Sequence, residues 1–183
     1  LRSIGYQVSG QIAGPASFSV DDNFVFFNPK AGLTYEVASG QKLYFSYAKA
    51  QREPNRTDYE NGNPKPEKLD DFELGWRINT PKLQAQTNVY WMEYKDQLVL
   101  TGAIDAVGSP IRQNVGKSRR LGIELEFKMN LNSNWLWQPN IALSSDQNLD
   151  FYFKRDGVLE NLGKTQLAYS PNLVGGNAIM YVP

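Results

Sequence analysis

Residues 117–130, KSRRLGIELEFKMN, alternate apolar and polar side chains along most of their length. Leu121, Ile123, Leu125, Phe127 and Met129 hold one parity, and Arg120, Gly122, Glu124, Glu126 and Lys128 hold the other. A period of two sends successive side chains to opposite faces of an extended strand. The pattern recurs: Phe72, Leu74, Trp76 and Ile78 oppose Asp71, Glu73, Gly75 and Arg77. Leu83, Ala85, Val89 and Trp91 oppose Gln84, Gln86, Asn88 and Tyr90. Ala31, Leu33, Tyr35 and Val37 behave likewise, as do Trp137, Ile141 and Leu143. Helical spacing fits none of these segments as well, and Gly and Pro punctuate the intervals, so the chain reads as all-β with about nine strands.

The connections carry more information than the strands. Ser39 and Gly40 predict a tight hairpin turn, residues 51–68 a long polar loop, and Thr80 with Pro81 another tight turn. A long connection follows over 96–114, a short one over 130–134, a long one over 148–163, and a short one at Ser170, Pro171 and Asn172. Long and short thus alternate, the layout of an outer-membrane barrel with short periplasmic turns and longer exterior loops. Segments 71–79 and 82–94 reach the roughly 9–11 residues that a tilted strand needs to cross a bilayer. Trp76, Trp91, Tyr94, Trp135 and Trp137 lie toward strand ends, where aromatic girdles meet the headgroups. Two alternatives satisfy the alternation: a soluble β-sandwich or barrel acting as a binding module, and a small complete outer-membrane barrel with a structural role.

Composition narrows the chemistry. Nineteen Lys and Arg balance nineteen Asp and Glu, so the basic surface of a nucleic-acid binder is not expected. The absence of Cys excludes disulfides and thiolate sites, and the absence of His removes the commonest metal ligand and general base. Gly116-Lys117-Ser118 and Gly163-Lys164-Thr165 end like phosphate-binding loops, but Ile111 and Val158 stand where the first Gly is required. Asn55-Arg56-Thr57 is a glycosylation sequon by letters only. Asp71, Glu73, Arg77, Glu124 and Glu126 share the polar faces of neighbouring strands, where cross-strand ion pairing accounts for them better than acid–base catalysis. No enzyme activity, cofactor or metal is expected.

Five segments together resemble a known family. FFNPKAGLTYEV (26–37), KLYFSYAKAQREPNRTDY (42–59), PKPEKLDDFELGWR (64–77), NVYWMEYKDQLVLTG (88–102) and NVGKSRRLGIELEF (114–127) are similar, in content and order, to the barrel of TonB-dependent outer-membrane receptors. The wording of residues 52–59 is most similar to receptors of the Bacteroidetes type, and YSPNLVGGNAIMYVP at the C-terminus fits a further periplasmic turn and strand.

The resemblance implies an antiparallel, up-and-down transmembrane β-barrel. Residues 1–183 would be a partial barrel domain, an internal to C-terminal section without the plug, of a barrel of about 22 strands. It implies active uptake, across the bacterial outer membrane, of a scarce ligand: a ferric siderophore or haem first, with cobalamin or a glycan behind. The implied partners are outer-membrane lipid, the plug of the same full-length receptor, TonB through the part preceding this section, and the transported ligand. Arg52, Arg56, Asp58, Tyr59, Tyr152, Lys154 and Arg155 become ligand-contact candidates in exterior loops. Asp71, Glu73, Arg77, Glu124 and Glu126 become lumen-facing, with Leu121, Ile123, Leu125 and Phe127 facing lipid.

Overall fold

The computed structural model describes residues 1–11, 17–105, 108–155 and 158–183, with side chains omitted at 11, 153–155, 158 and 159. Ten strands and one short helix are found among them: β1 (Arg2–Gln11), β2 (Ser17–Phe26), β3 (Lys30–Ala38), β4 (Gln41–Arg52), α1 (Arg56–Glu60), β5 (Glu67–Asn79), β6 (Leu83–Ile104), β7 (Pro110–Asn130), β8 (Trp135–Arg155), β9 (Val158–Gln166) and β10 (Leu173–Tyr181). Strands β3, β4, β5, β6, β7, β8 and β10 lie side by side in one antiparallel sheet, with β9 also pairing β8. The β1–β2 hairpin forms a second, two-stranded sheet.

Tight turns close one end of the sheet. Gly40, at φ 73, turns β3 into β4, a left-handed conformation that glycine adopts without steric cost. Thr80 closes the next turn through its backbone N–H and hydroxyl, both bonded to the Leu83 carbonyl at 2.8 and 3.0 Å. Asn132 accepts from Trp135 N at 3.0 Å in the third. The opposite end carries long hairpins, and by the barrel rule it is the exterior end.

Three expectations change here. The long connections at 96–114 and 148–163 are largely paired strand, because β6, β7 and β8 run 21 to 22 residues and continue beyond any bilayer-crossing length. The polar loop at 51–68 contains α1. Ser170, Pro171 and Asn172 are not a periplasmic turn. Strand β9 pairs the exterior half of β8 and β10 pairs its other half, both antiparallel to it. Residues 167–172 therefore interrupt one descending line of chain, which makes ten strands where alternation alone gives about nine. Pro171 lacks the N–H a ladder needs, and its carbonyl accepts from the Ser144 hydroxyl at 3.2 Å.

Register assembles the apolar parities into continuous rows. Leu33, Phe45, Leu74, Val89, Ile123, Leu143 and Leu173 stand opposite one another across all seven strands of the sheet. Six of them are exposed and Ile123 is half-buried. Toward the exterior, Tyr47, Phe72 and Trp91 form an aromatic row with ring centroids 4.9 and 6.3 Å apart. Toward the turns lie Trp137, paired with Met129 and Ile179, and Trp135 against Tyr181 at 5.2 Å. From Leu121 to Met129 the strand advances about 27 Å at roughly 3.4 Å per residue, which tilt shortens to about the 25 Å of a barrel's apolar band. Such a surface is stable against lipid and would aggregate in water. The small buried cluster of Val99, Val115 and Leu167, with Phe151 packed against it, sits at the exterior end.

Candidate functional site

The opposite face of the sheet is polar and concave. Asp71, Glu73, Arg77, Glu124 and Glu126 all occupy it, since each alternates with a residue of the apolar rows. One row runs Lys42, Arg77, Gln86, Glu126 and Asn140, and the next runs Tyr44, Gly75, Asn88 and Glu124. A concavity of about 550 Å³ opens on this face near the turns, lined by Arg77, Gln84, Gln86, Glu126, Lys128 and Asn140 among others. Tyr94, placed among the girdle aromatics by its position in the strand, belongs to this face too; the Arg120 guanidinium lies over its ring at 5.4 Å.

Two glycines make the polar face smooth by admitting tyrosines. A Cβ at Gly75 would collide with the Tyr44 ring, whose hydroxyl donates to Asn88 at 3.1 Å and whose face carries Arg77 at 4.8 Å. A Cβ at Gly122 would meet both the Tyr90 ring and the Leu143 carbonyl. Small residues at these positions let a large ring lie flat across the neighbouring strand.

The exterior loop candidates divide. Asn55 caps α1: its Oδ1 accepts from Asp58 N at 3.0 Å while Asp58 Oδ2 accepts from Asn55 N at 2.9 Å. That reciprocal capping box satisfies two otherwise orphaned donors. The letters Asn-x-x-Asp carried the signal, which a loop rich in Pro and Asn obscured. Asp58 is almost wholly buried and pairs with Arg112 of β7 at 2.9 Å. Tyr59 donates to Asp22 of β2 at 2.6 Å and stacks on Tyr6 of β1 at 5.4 Å. Burial, with the hydrogen bond to the Asp22 carboxylate second, pushes the Tyr59 phenol well above its ordinary range. Asp58 and Tyr59 thus hold α1 between the β1–β2 hairpin and β7. Their partners Arg112, Asp22 and Tyr6 escaped the sequence reading because no local pattern links them.

Arg52 and Arg56 present more than half of each side chain to solvent while pairing with Glu67 at 2.5 Å and Glu60 at 2.7 Å. Arg56 also lies over the Phe18 ring at 5.7 Å. Tyr152 is exposed on β8, opposite Asn161 of β9. The side chains of Lys154 and Arg155 lie outside the described residues. Among the described residues no group of His, Cys, Asp or Glu is arranged to hold a metal ion.

A sheet with one lipid-compatible face, one polar concave face, short turns and long exterior hairpins is a section of a transmembrane barrel. Residues 5–182 match the family described as "TonB dependent receptor-like, beta-barrel". The chain belongs to that family. Its members' barrels stand in the bacterial outer membrane, and the solved relatives are uptake receptors and transporters rather than enzymes. The siderophore receptor PiuA from Acinetobacter baumannii superimposes with a TM-score of 0.71 at 18% identity, over 93% of this chain and 26% of that one. The ferric-catecholate import receptor Fiu from E. coli K12 gives 0.62 at 16% identity, over 98% of this chain and 28% of that one. The ferric yersiniabactin uptake receptor FyuA from Yersinia pestis gives 0.59 at 21% identity, over 94% and 26%. At these identities the likeness is one of fold, and the chain spans about a quarter of each receptor's length. No curated protein matches the sequence.

Proposed function

We propose that residues 1–183 are part of the barrel of an outer-membrane receptor for energised uptake, with a ferric siderophore as its ligand and haem as the second choice. The observation that carries this reading is the polar face opposite the apolar rows, with its concavity near the turns, within a family whose solved relatives include siderophore receptors. Asp71, Glu73, Arg77, Glu124 and Glu126 line the lumen and face the plug of the same receptor, and TonB supplies the pull through that plug. Arg52, Arg56 and Tyr152 offer exposed polar surface at the exterior mouth for an anionic, aromatic-bearing chelate. Asp58 and Tyr59 act there by holding α1 in place.

The test is growth. Full-length receptor expressed in an iron-starved outer-membrane host lacking its own ferric-siderophore receptors should restore growth on one of a panel of ferric siderophores. Growth should be lost when TonB is deleted. Restoration by haem alone would reassign the ligand, and growth that survives TonB deletion would overturn energised uptake.

A further inference from the structure

The lipid-facing surface changes character above the aromatic row. Lys49, Asp70, Glu93 and Arg119 stand side by side in the next row, two cations and two carboxylates. Lys49 pairs with Asp70 at 3.6 Å, and Glu93 accepts from Trp91 Nε1 at 2.8 Å. In the row above, Lys68 faces Lys95 and Lys95 faces Lys117. All three lysines are exposed, and among the described residues none forms an ion pair or a side-chain hydrogen bond. The patch therefore holds five cations against two carboxylates on a chain whose formal net charge is zero.

Like charges directly opposite one another destabilise a bare sheet. A row of three is relieved by an anion that bridges them. Adjacent strands are about 4.8 Å apart, so the three ammonium groups span about 10 Å. The row stands about 13 Å above Trp91 along the strand, at the level of headgroups rather than acyl chains. The surface below it is continuous with the lipid-facing rows. We propose that Lys68, Lys95 and Lys117, with Lys49 and Arg119 at their base, form a binding site for a phosphate-bearing lipid headgroup of the outer leaflet. Acyl chains lie on Phe72, Trp91 and Leu121, and the phosphates sit among the lysines. The site depends on outer-membrane placement alone and is independent of which ligand is transported.

The test uses the full-length receptor in phosphatidylcholine nanodiscs with or without lipid A, a bisphosphorylated glycolipid, read by mass spectrometry of the intact protein–lipid complex. The Lys68→Gln, Lys95→Gln, Lys117→Gln triple variant should bind lipid A about a hundredfold more weakly, the sum of three lysines near an anionic surface. A matched variant, Lys42→Gln, Lys82→Gln, Lys128→Gln, removes the same charge away from the patch and should bind as the wild type does. Equal binding by the wild type and the first variant would overturn the proposal, as would equal loss in both variants. Retention of inorganic phosphate by the wild type but not by the first variant, with no lipid A bound by either, would overturn the lipid as occupant. Both variants lie at exposed positions, and unchanged heat-modifiable migration confirms that each barrel is folded.

Discussion

Between the row of Tyr47, Phe72 and Trp91 and the tight turns, side chains are sorted by the medium they meet; above that row they are sorted by particular partners. In the band, Leu74 and Val89 are exposed on the apolar face while Glu73 and Asn88 lie on the polar one, and among the described residues the band holds no buried hydrophobic core to be disturbed. In the exterior tier, α1 is held by a buried ion pair, a tyrosine–aspartate bond and a ring stack, beside a small apolar cluster. The backbone ladder is common to both. Outside the glycine seats at 75 and 122, the band tolerates any side chain suited to its face, whereas the tier depends on a few long-range pairs.

The sharpest way to break that contrast is to put a charge on the wrong face. Ile141→Arg, level with Leu125 at mid-height of the apolar band, should cost about 2–4 kcal/mol, as a cation at the bilayer midplane does. Gln86→Arg, one row lower on the concave face, should cost a few tenths at most, about the range of a solvated surface change. Denaturant titration of the full-length receptor in lipid vesicles measures both. Equal costs would mean that the two faces are not in different media.

Within the band, the glycine seats grade the next effect. Gly122→Ala should cost about 3 kcal/mol, at the upper end of overpacking, because Tyr90 and a backbone carbonyl both obstruct the new methyl. Gly75→Ala should cost less, since only the Tyr44 ring stands in the way and a ring can swing. Adding Tyr44→Ala should erase the clash at position 75, while adding Tyr90→Ala should leave part of the clash at 122. The same titration reads all four variants, and a full rescue at both sites would show that the Leu143 carbonyl yields.

Legibility follows the same divide. The parity of Leu121, Ile123 and Leu125 is visible within one strand, because burial in lipid needs only period two. The row from Leu33 to Leu173 is not visible there, because it depends on every turn and bulge that sets register. Lys68, Lys95 and Lys117 each read as an ordinary solvated charge until register places them abreast. Asp58 and Arg112 are 54 positions apart, and Tyr59 and Asp22 are 37, so no local pattern joins them. Pro171 in a Ser-Pro-Asn stretch has the letters of a turn, and only the pairing of both β9 and β10 with β8 shows a break in a continuing line.

The tier should respond to partner removal without involving the band. Arg112→Gln leaves the buried Asp58 carboxylate without its cation and should weaken the anchoring of α1 by about 1–3 kcal/mol. Limited proteolysis should then cut residues 53–66 faster while the denaturation midpoint of the barrel stays where it was. A lowered midpoint would mean that the tier and the band unfold as one unit.

The smallest effect isolates a single hydroxyl. Tyr59 is half of the bond to Asp22, and its phenol titrates above the ordinary value of about 10 because burial and the Asp22 carboxylate both disfavour the phenolate. The folded tier therefore holds this proton more tightly than the unfolded segment does. Its contribution is fully present below about pH 10 and is lost as pH rises from there toward the folded value. Proteolysis of residues 53–66 should accelerate over that alkaline window in the wild type. Lysines also lose charge there, so the wild-type curve alone does not identify the group. Tyr59→Phe keeps the ring on Tyr6 and removes the titrating oxygen. It should start out somewhat less protected at neutral pH and rise less steeply with alkali, so that the two curves converge above pH 10. Parallel curves would assign the alkaline release to the lysines and leave the Tyr59–Asp22 bond without a share in holding α1.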